Sequence, residues 1–396
     1  MTNQNIIILA QQNWDTPIGT NPRNMALEFA RHNRVLYVNM PLDVSTVLRE
    51  RREPGVRQRL RVLLGQEPGL VSVAPNVWVC TTRVLLLSAN WLASRAAFSA
   101  LNRLNAKWLA HDIARATRAV GFDSYYLLQD GLIYPGVELK QRLRPRQFIY
   151  NLRDYVLAVP YFRRHGPWLE AATMETADLV TANSAWLRDY ARPHNPRSYD
   201  IGQGCVLSQY QADTDHPLPA DLAAVPGPRL TYTGYLTAIR LDIGLLLTIA
   251  RQRSDWHLVL IGPEDEAFQR SELHGLPNVH FLGSKAPAEL AAYLQHSDVC
   301  INPQTLNDIT VGNYPLKIDE YLAMGRPVVA TATGAMTMFA EHVYLASNPA
   351  EWLTQLEAAL ADHDPARRAA RIAFTQTHTW EASVGRLYRA VAEVSI

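Results

Sequence analysis

The residues best equipped for chemistry lie at 306–329, LNDITVGNYPLKIDEYLAMGRPVV. A polar loop carrying Thr310, Val311, Gly312 and Tyr314 runs through Pro315 and Leu316 into a helix. The first N–H groups of a helix lack intrahelical partners and draw anions, and Lys317 adds a full positive charge in that first turn. Glu320 stands three residues on, hence on the same helical face. A carboxylate there can accept two hydrogen bonds from a ribose diol. Together the two side chains suit a nucleoside diphosphate; the plainer alternative is a solvated i,i+3 ion pair. Three upstream strand ends carry glycine, in Thr233-Gly234-Tyr235, Gly262-Pro263-Glu264 and Leu282-Gly283-Ser284. Each is either a turn or a place where backbone approaches a ligand closely.

Two carboxylates elsewhere are placed to move a proton. Asp154, in YNLRDY, follows an expected strand at 147–150, and Asp130, in LLQDG, follows one at 124–128. Either can accept the proton of a hydroxyl that attacks an electrophilic carbon. For Asp154 the alternative is a helix cap or an ion pair with Arg153 or Arg163; for Asp130 it is an Asp-Gly turn. After the first strand, QQNWDTPIG offers Asp15 and Gly19 as contacts to a second substrate. No GxGxxG follows that strand, which disfavours the usual nicotinamide and flavin sites. There is no HExxH and no CxxC, and no cofactor and no metal are expected. Cys80, Cys205 and Cys300 are too far apart in sequence for a disulfide scaffold, and a cytoplasmic compartment fits them best.

The elements that must position these groups alternate between short β-rich runs and longer amphipathic ones. Strands are expected at 5–10, 34–39, 77–80, 124–128, 147–150 and 179–182, with helical material between, including a helix over 21–32. The series restarts with strands at 229–233, 256–261, 279–282, 299–302 and 327–330, and helices at 242–251, 288–296 and 316–324. Such alternation predicts an α/β protein of two doubly wound, Rossmann-like domains with parallel sheets. Ligands of these sheets bind at the carboxyl ends of the strands, where the glycines and acids above fall. A Pro-rich stretch at 213–228 reads as a linker and 380–394 as a closing helix.

Length and charge agree with that division. The chain has 396 residues, about two ordinary cores' worth. Its longest apolar stretch, 84–94, is too short to cross a membrane. Net charge is +1 overall, but residues 1–200 hold 25 lysines and arginines against 16 carboxylates, so the two halves carry opposite excesses. Arginines at 49, 51, 52, 57, 59 and 61, and a basic, Trp-bearing stretch at 91–118, either meet anionic lipid headgroups or form a solvated helical face. No nucleic-acid motif is present, and no nucleic-acid partner is expected.

The order YTG, LVLIGP, NVHFLG, ELAAYLQHSDVCINP and PLKIDEYLAMGRPVVAT resembles the donor-binding half of GT-B glycosyltransferases near glycosyltransferase family 4. ADLVTANSAWL, IGQGC and the late His378-Thr379-Trp380 resemble that family's inter-domain and C-terminal elements. The resemblance implies an acceptor-binding domain at 1–205, a nucleotide-sugar domain at 206–375 and a C-terminal helix at 376–396 that crosses back. It also implies sheets that face each other across a cleft. Its implied partners are a nucleotide-sugar, UDP-type favoured, and a glycan, glycolipid or polyprenyl-linked acceptor, with peripheral contact to an anionic membrane.

The chain departs from the retaining members of that family. Their Glu-x7-Glu is incomplete, because the position eight residues before Glu320 is Gly312. Their phosphate-binding Arg and Lys after the first C-domain strand are replaced by Tyr235 and LTAIRLD, where Arg240 is the available substitute. The pattern is closer to the teichuronic-acid and xanthan glucuronosyltransferase branches, and by that resemblance Asp154 is the base of an inverting transfer. A GT-B epimerase or phosphorylase, and a non-catalytic nucleotide-sugar-binding scaffold, stand as the alternatives.

Overall fold

A computed structural model describes residues 1–16, 20–134, 136–312 and 314–394. The chain forms two compact units, Met1–Gly202 with Ser383–Ile396, and Gln203–Ala382. The strands of the first unit are β1 (Asn5–Ala10), β2 (Arg34–Val38), β3 (Leu42–Asp43), β4 (Leu70–Ala74), β5 (Val77–Cys80), β6 (Leu85–Leu86), β7 (Tyr126–Asp130), β8 (Phe148–Leu152), β9 (Leu179–Ala182) and β10 (Ser198–Asp200). Eight of them form one sheet in the order β10-β9-β8-β7-β1-β2-β5-β4, while β3 and β6 pair separately. Runs such as NIIILA are apolar without alternation because helices cover both faces of the sheet. Ile7, Leu9, Leu36, Leu127 and Tyr150 share one core with Leu109 and Ile113 of the helix Arg95–Ala119. Ser94 caps that helix by accepting the Ala97 N–H at 3.3 Å.

One strand of this sheet breaks the parallel pattern. β4 pairs antiparallel with β5 through a turn whose Asn76 takes a positive φ of 61°. Asparagine tolerates that conformation, so a hairpin stands where helical material was expected. β4 is the sheet's edge and largely exposed, which is why LVSVA lacks the density of a central strand.

The second unit holds β11 (Arg229–Thr233), β12 (His257–Ile261), β13 (Val279–Gly283), β14 (Val299–Asn302), β15 (Val328–Thr331) and β16 (Tyr344–Ala346). They form a wholly parallel sheet in the order β13-β12-β11-β14-β15-β16. Leu230, Tyr232 and Leu258 pack with Leu246 and Trp352 in one core. Cys300 and Val328 pack with Ile318, Tyr321 and Leu322 of the helix Lys317–Ala323 in another. Residues 213–228 are part of this unit rather than a free linker. Leu222 and Val225 are buried, and the Asp221 carboxylate accepts from Tyr293 at 2.8 Å and pairs with Lys285 at 2.6 Å. The prolines there hide a short amphipathic turn. In the first unit the C-terminal segment is held by Arg386, which donates to the Ile201 carbonyl at 2.7 Å, and by Tyr388, which accepts from Asn33 at 2.8 Å.

Register sets where chemistry can occur. Ala10, Asp130 and Asn151 are aligned partners at one edge of the first sheet. Thr233, Ile261 and Gly283 are aligned partners at one edge of the second. Among the described residues no helix is long and apolar enough to cross a membrane.

Candidate functional site

In the second unit the strand-end glycines form a continuous seam. The Gly234 N–H donates to the Ile261 carbonyl at 2.9 Å, and the Gly262 N–H donates to the Gly283 carbonyl at 3.0 Å. Gly262 has φ 151°, and a Cβ on it would lie 1.9 Å from the Gly234 carbonyl oxygen. No residue with a side chain fits there without moving the β11 terminus. Gly234 itself has φ 131°, and a Cβ on it would meet the Tyr232 hydroxyl and the Lys317 side chain.

Lys317 is therefore brought to the seam. Its ammonium donates to the Tyr232 hydroxyl at 2.9 Å and lies 4.5 Å from the centre of that ring. The Tyr232 hydroxyl in turn donates to the Tyr235 carbonyl at 3.4 Å. One turn further along the same helix, the Tyr321 hydroxyl accepts the Thr233 N–H at 2.9 Å and pins the helix to the β11 end. Glu320 lies on this face, half-buried, hydrogen-bonded to the phenol of Tyr210. Burial pushes its carboxyl up to about 7 against the opposing pull of Lys317 and Tyr210.

The other face of the helix is locked from behind. Asp319, fully buried, meets His378 Nδ1 at 2.7 Å and accepts from the Tyr314 hydroxyl at 2.7 Å. Burial raises its carboxyl while His378 and Tyr314 lower it. His378 is anchored in its turn, because its carbonyl accepts the Cys205 N–H at 2.7 Å. The helix that carries Lys317 and Glu320 is thus fixed at Thr233 on one side and at His378 on the other.

The amide end of this helix is not open as the sequence suggests. Ile318 and Asp319 donate to the carbonyls of Pro315 and Leu316 at 2.9 and 3.1 Å, and Glu320 donates to Leu316 at 3.4 Å. A tight 3₁₀-type lead-in satisfies these donors. The positive field here comes from the Lys317 ammonium rather than from unsatisfied amides.

The remaining expected residues divide by what their side chains already bond. Thr310 is buried, and its hydroxyl donates to the Thr305 carbonyl. Its N–H donates to Asn307 Oδ1 at 3.1 Å. Tyr314 spends its hydroxyl on Asp319. Both build the 303–316 loop rather than project from it, alongside buried Gly312 and half-buried Val311 and Leu316. Asn307 organises that loop and ties it to the neighbouring one by donating to the Ile239 carbonyl at 2.7 Å. The Arg240 carbonyl accepts the Thr305 N–H at 2.9 Å, which places Arg240 on the same loop pair. Glu264 turns its carboxylate to His274 at 2.8 Å. Tyr235 is half exposed, and a Cβ on Gly283 would meet nothing.

In the first unit the two candidate bases differ sharply. Asp154 follows β8 and is exposed. Asp130 ends β7 fully buried, with its carboxylate 2.7 Å from the Arg153 guanidinium and accepting from Asn151 at 2.7 Å. Thr181 donates to Asn151 at 2.7 Å, so one polar network links the ends of β7, β8 and β9. A carboxylate held in such a pair braces the chain leading to Asp154. Asp15 is exposed in the turn after β1, and Gly19 lies outside the described residues.

Tyr232, Tyr210, Tyr321 and His378 carry no sequence signature of their roles. The available signals are the aromatic two residues before the strand-end glycine in YTG, the His378-Thr379-Trp380 element and the proximity of Asp319 to Lys317. Among the described residues no group of three or more His, Cys, Asp or Glu side chains could hold a metal ion.

Residues 228–362 match the family model described as Glycosyl transferases group 1. The Bacillus subtilis (strain 168) protein TuaH, whose name assigns it to teichuronic acid biosynthesis as a glycosyltransferase, is 28% identical over 172 residues. That match covers 41% of this chain and 42% of TuaH, well under half of each. Among solved structures, sucrose-phosphate synthase from Thermosynechococcus elongatus superposes with a TM-score of 0.66 at 18% identity, covering 99% of this chain and 100% of that one. Anabaena Alr3699/HepE in complex with UDP gives 0.66 at 16% identity, covering 98% and 100%. The chain has the GT-B fold of these structures.

Two outcomes follow from the geometry. Gly262→Ala must displace the β11 terminus and is expected to lower unfolding free energy by at least about 1–3 kcal/mol in denaturant titration. Glu320 binds its proton more tightly when folded than when unfolded. Its contribution to stability is therefore greatest below the ordinary Glu value and declines as pH rises toward about 7. Across a pH series, the melting temperatures of the native protein and of Glu320→Gln should run parallel below the ordinary Glu value, the native protein should lose stability relative to the variant as pH rises toward about 7, and the gap should be constant above it.

Proposed function

We propose that this chain, whose GT-B fold carries a group 1 glycosyltransferase domain, moves a sugar from a UDP-type nucleotide-sugar to a glycan, glycolipid or polyprenyl-linked acceptor. The observation that carries the reading is the Lys317 ammonium held over the Gly234–Gly262 seam. A seam without side chains lets a diphosphate lie against backbone, and Lys317 supplies the charge that receives it. Its present partner, the Tyr232 hydroxyl, is neutral and is readily exchanged for phosphate oxygen. Glu320 accepts from the ribose hydroxyls. The UDP complex of the HepE relative supports a uridine nucleotide as donor.

In the proposed step the acceptor oxygen attacks the anomeric carbon and its proton passes to Asp154. The bond from that carbon to the diphosphate breaks, and the electron pair leaves with UDP. Lys317 stabilises the charge that accumulates on the departing group. Attack opposite to departure inverts the anomeric centre, in keeping with glycine rather than glutamate at position 312. Neither resident cofactor nor metal is assigned a role. Asp130 holds Arg153, and through it the chain that presents Asp154, rather than taking the proton itself.

The basic first unit suits an acceptor delivered at the cytoplasmic face of a membrane. Leu48 and Leu64 are 74% and 69% exposed among the exposed arginines at 49, 51, 52, 57 and 61. Apolar side chains set among cations match the boundary of an anionic bilayer.

Binding and turnover separate these roles. Lys317→Ala is expected to weaken UDP binding by about 1.5–3 kcal/mol in calorimetry, the value of a charge-assisted hydrogen bond. Asp154→Asn should leave UDP binding unchanged while slowing transfer by about 10²–10⁴-fold. Asp130→Ala should destabilise the protein by about 3–5 kcal/mol by stranding Arg153. Transfer at the native rate in Asp154→Asn contradicts the base assignment, and full UDP affinity in Lys317→Ala contradicts the donor site.

A further inference from the structure

The first unit holds a second concavity that the transfer step does not use. It has a volume of about 1080 Å³ and is bounded by the helix Arg95–Ala119, the end of the helix Gly136–Leu143 and the Arg83–Leu85 segment. Helical spacing explains its shape. Lys107, His111 and Arg115 recur every four residues, so they line one side of their helix, and Ala110 and Ala114 between them leave a low floor. Arg142 and Arg144 form the facing wall. The exposed indole of Trp108 closes the ring of larger side chains.

The groove is strongly and unequally charged. Five lysines and arginines line it against a single carboxylate, Asp112. That carboxylate is already engaged, accepting the Arg83 N–H at 2.6 Å and pairing with Arg115 at 2.7 Å. Lys107 and Arg144 have no ion-pair partner among the described residues. Arg144 also sits at φ 48°, a conformation that costs an arginine about 1 kcal/mol or more and a glycine almost nothing. That conformation closes the helix Gly136–Leu143: the Arg144 N–H donates to the Lys140 carbonyl at 3.0 Å, and Pro145 follows. Arg83, Asp112 and Arg115 also line a second hollow of about 420 Å³ that reaches Gly69 and Leu70.

We propose that this groove binds an acidic oligosaccharide, with its carboxylate or phosphate groups on Lys107, Arg115, Arg142 and Arg144 and a sugar face on Trp108. The extended, two-part shape suits a chain of linked rings, and the alanine floor admits their width. A bilayer meets a protruding apolar face rather than a recess. Single-stranded nucleic acid needs successive aromatic platforms, and one tryptophan lines this groove. Binding stands on these residues alone; that the oligosaccharide is the acceptor or the growing product rests on the transferase reading.

The test uses the full chain and an oligogalacturonate, with its methyl-esterified form as the uncharged control, measured by calorimetry at low and high salt. The acidic form is expected to bind, to weaken as salt rises, and to exceed the ester in affinity by at least about tenfold. The double variant Lys107→Ala/Arg144→Gly keeps the backbone conformation at 144. It should reduce oligogalacturonate affinity by at least about tenfold, with melting temperature not lowered and UDP affinity unchanged. Equal binding of the two forms, no binding of either, or native affinity in the double variant overturns the proposal. So does tighter binding of oligothymidylate or of anionic phosphatidylglycerol vesicles through the same two side chains. Loss of the groove effect with UDP binding intact sinks only this inference, whereas absence of UDP binding sinks the donor site.

Discussion

The contact on which the proposed donor site depends is a backbone one: the Gly234 carbonyl occupies the space that a side chain on residue 262 would need. That approach joins the ends of β11 and β12 into a surface of backbone alone. It also allows the Lys317 side chain to lie beside Gly234 and to rest on Tyr232. The remaining features hold this arrangement still. Tyr321 bonds the β11 end, Asp319 is clamped by His378 and Tyr314, and Asn307 ties the intervening loop to the one that bears Arg240. A cation and a carboxylate are thus set on one short helix whose position is determined from two sides.

The cost of that arrangement is concentrated in buried carboxyls. Glu320 and Asp319 are adjacent, both raised by burial, and each is relieved by different neighbours. Asp319 is satisfied by side chains of its own unit and serves position. Glu320, bonded to Tyr210, is raised to about 7 and is the more exposed of the two. In the first unit the same division recurs between Asp130, sealed against Arg153, and Asp154, exposed beyond it. In both units a buried, paired acid stands with a more exposed one.

Much of the fold was legible because central parallel strands are apolar throughout. β1, β5, β9, β11 and β14 occupy the residues their composition indicates. β7 ends two residues later than the apolar run, because pairing with β1 carries the strand on through Gln129 and Asp130. β4 escaped because an exposed edge strand has no apolar run to display, and residues 213–228 because prolines mask a packed turn. Lys317, Glu320 and the strand-end glycines stand out in sequence because glycine recurs at three successive strand ends and the two charges share one helical face. Tyr232, Tyr210, Tyr321 and His378 do not, since each acts through a tertiary contact that no local spacing encodes. The closed amide end of the Lys317 helix and the inward hydroxyls of Thr310 and Tyr314 are likewise decided by loop geometry.

The most direct measurement is the structure of the chain crystallised with UDP. The account predicts diphosphate oxygens along the Gly234–Gly262 seam, the Lys317 ammonium turned from Tyr232 to bond them, and the ribose hydroxyls on Glu320. A nucleotide bound elsewhere, with Lys317 still resting on Tyr232, would contradict it.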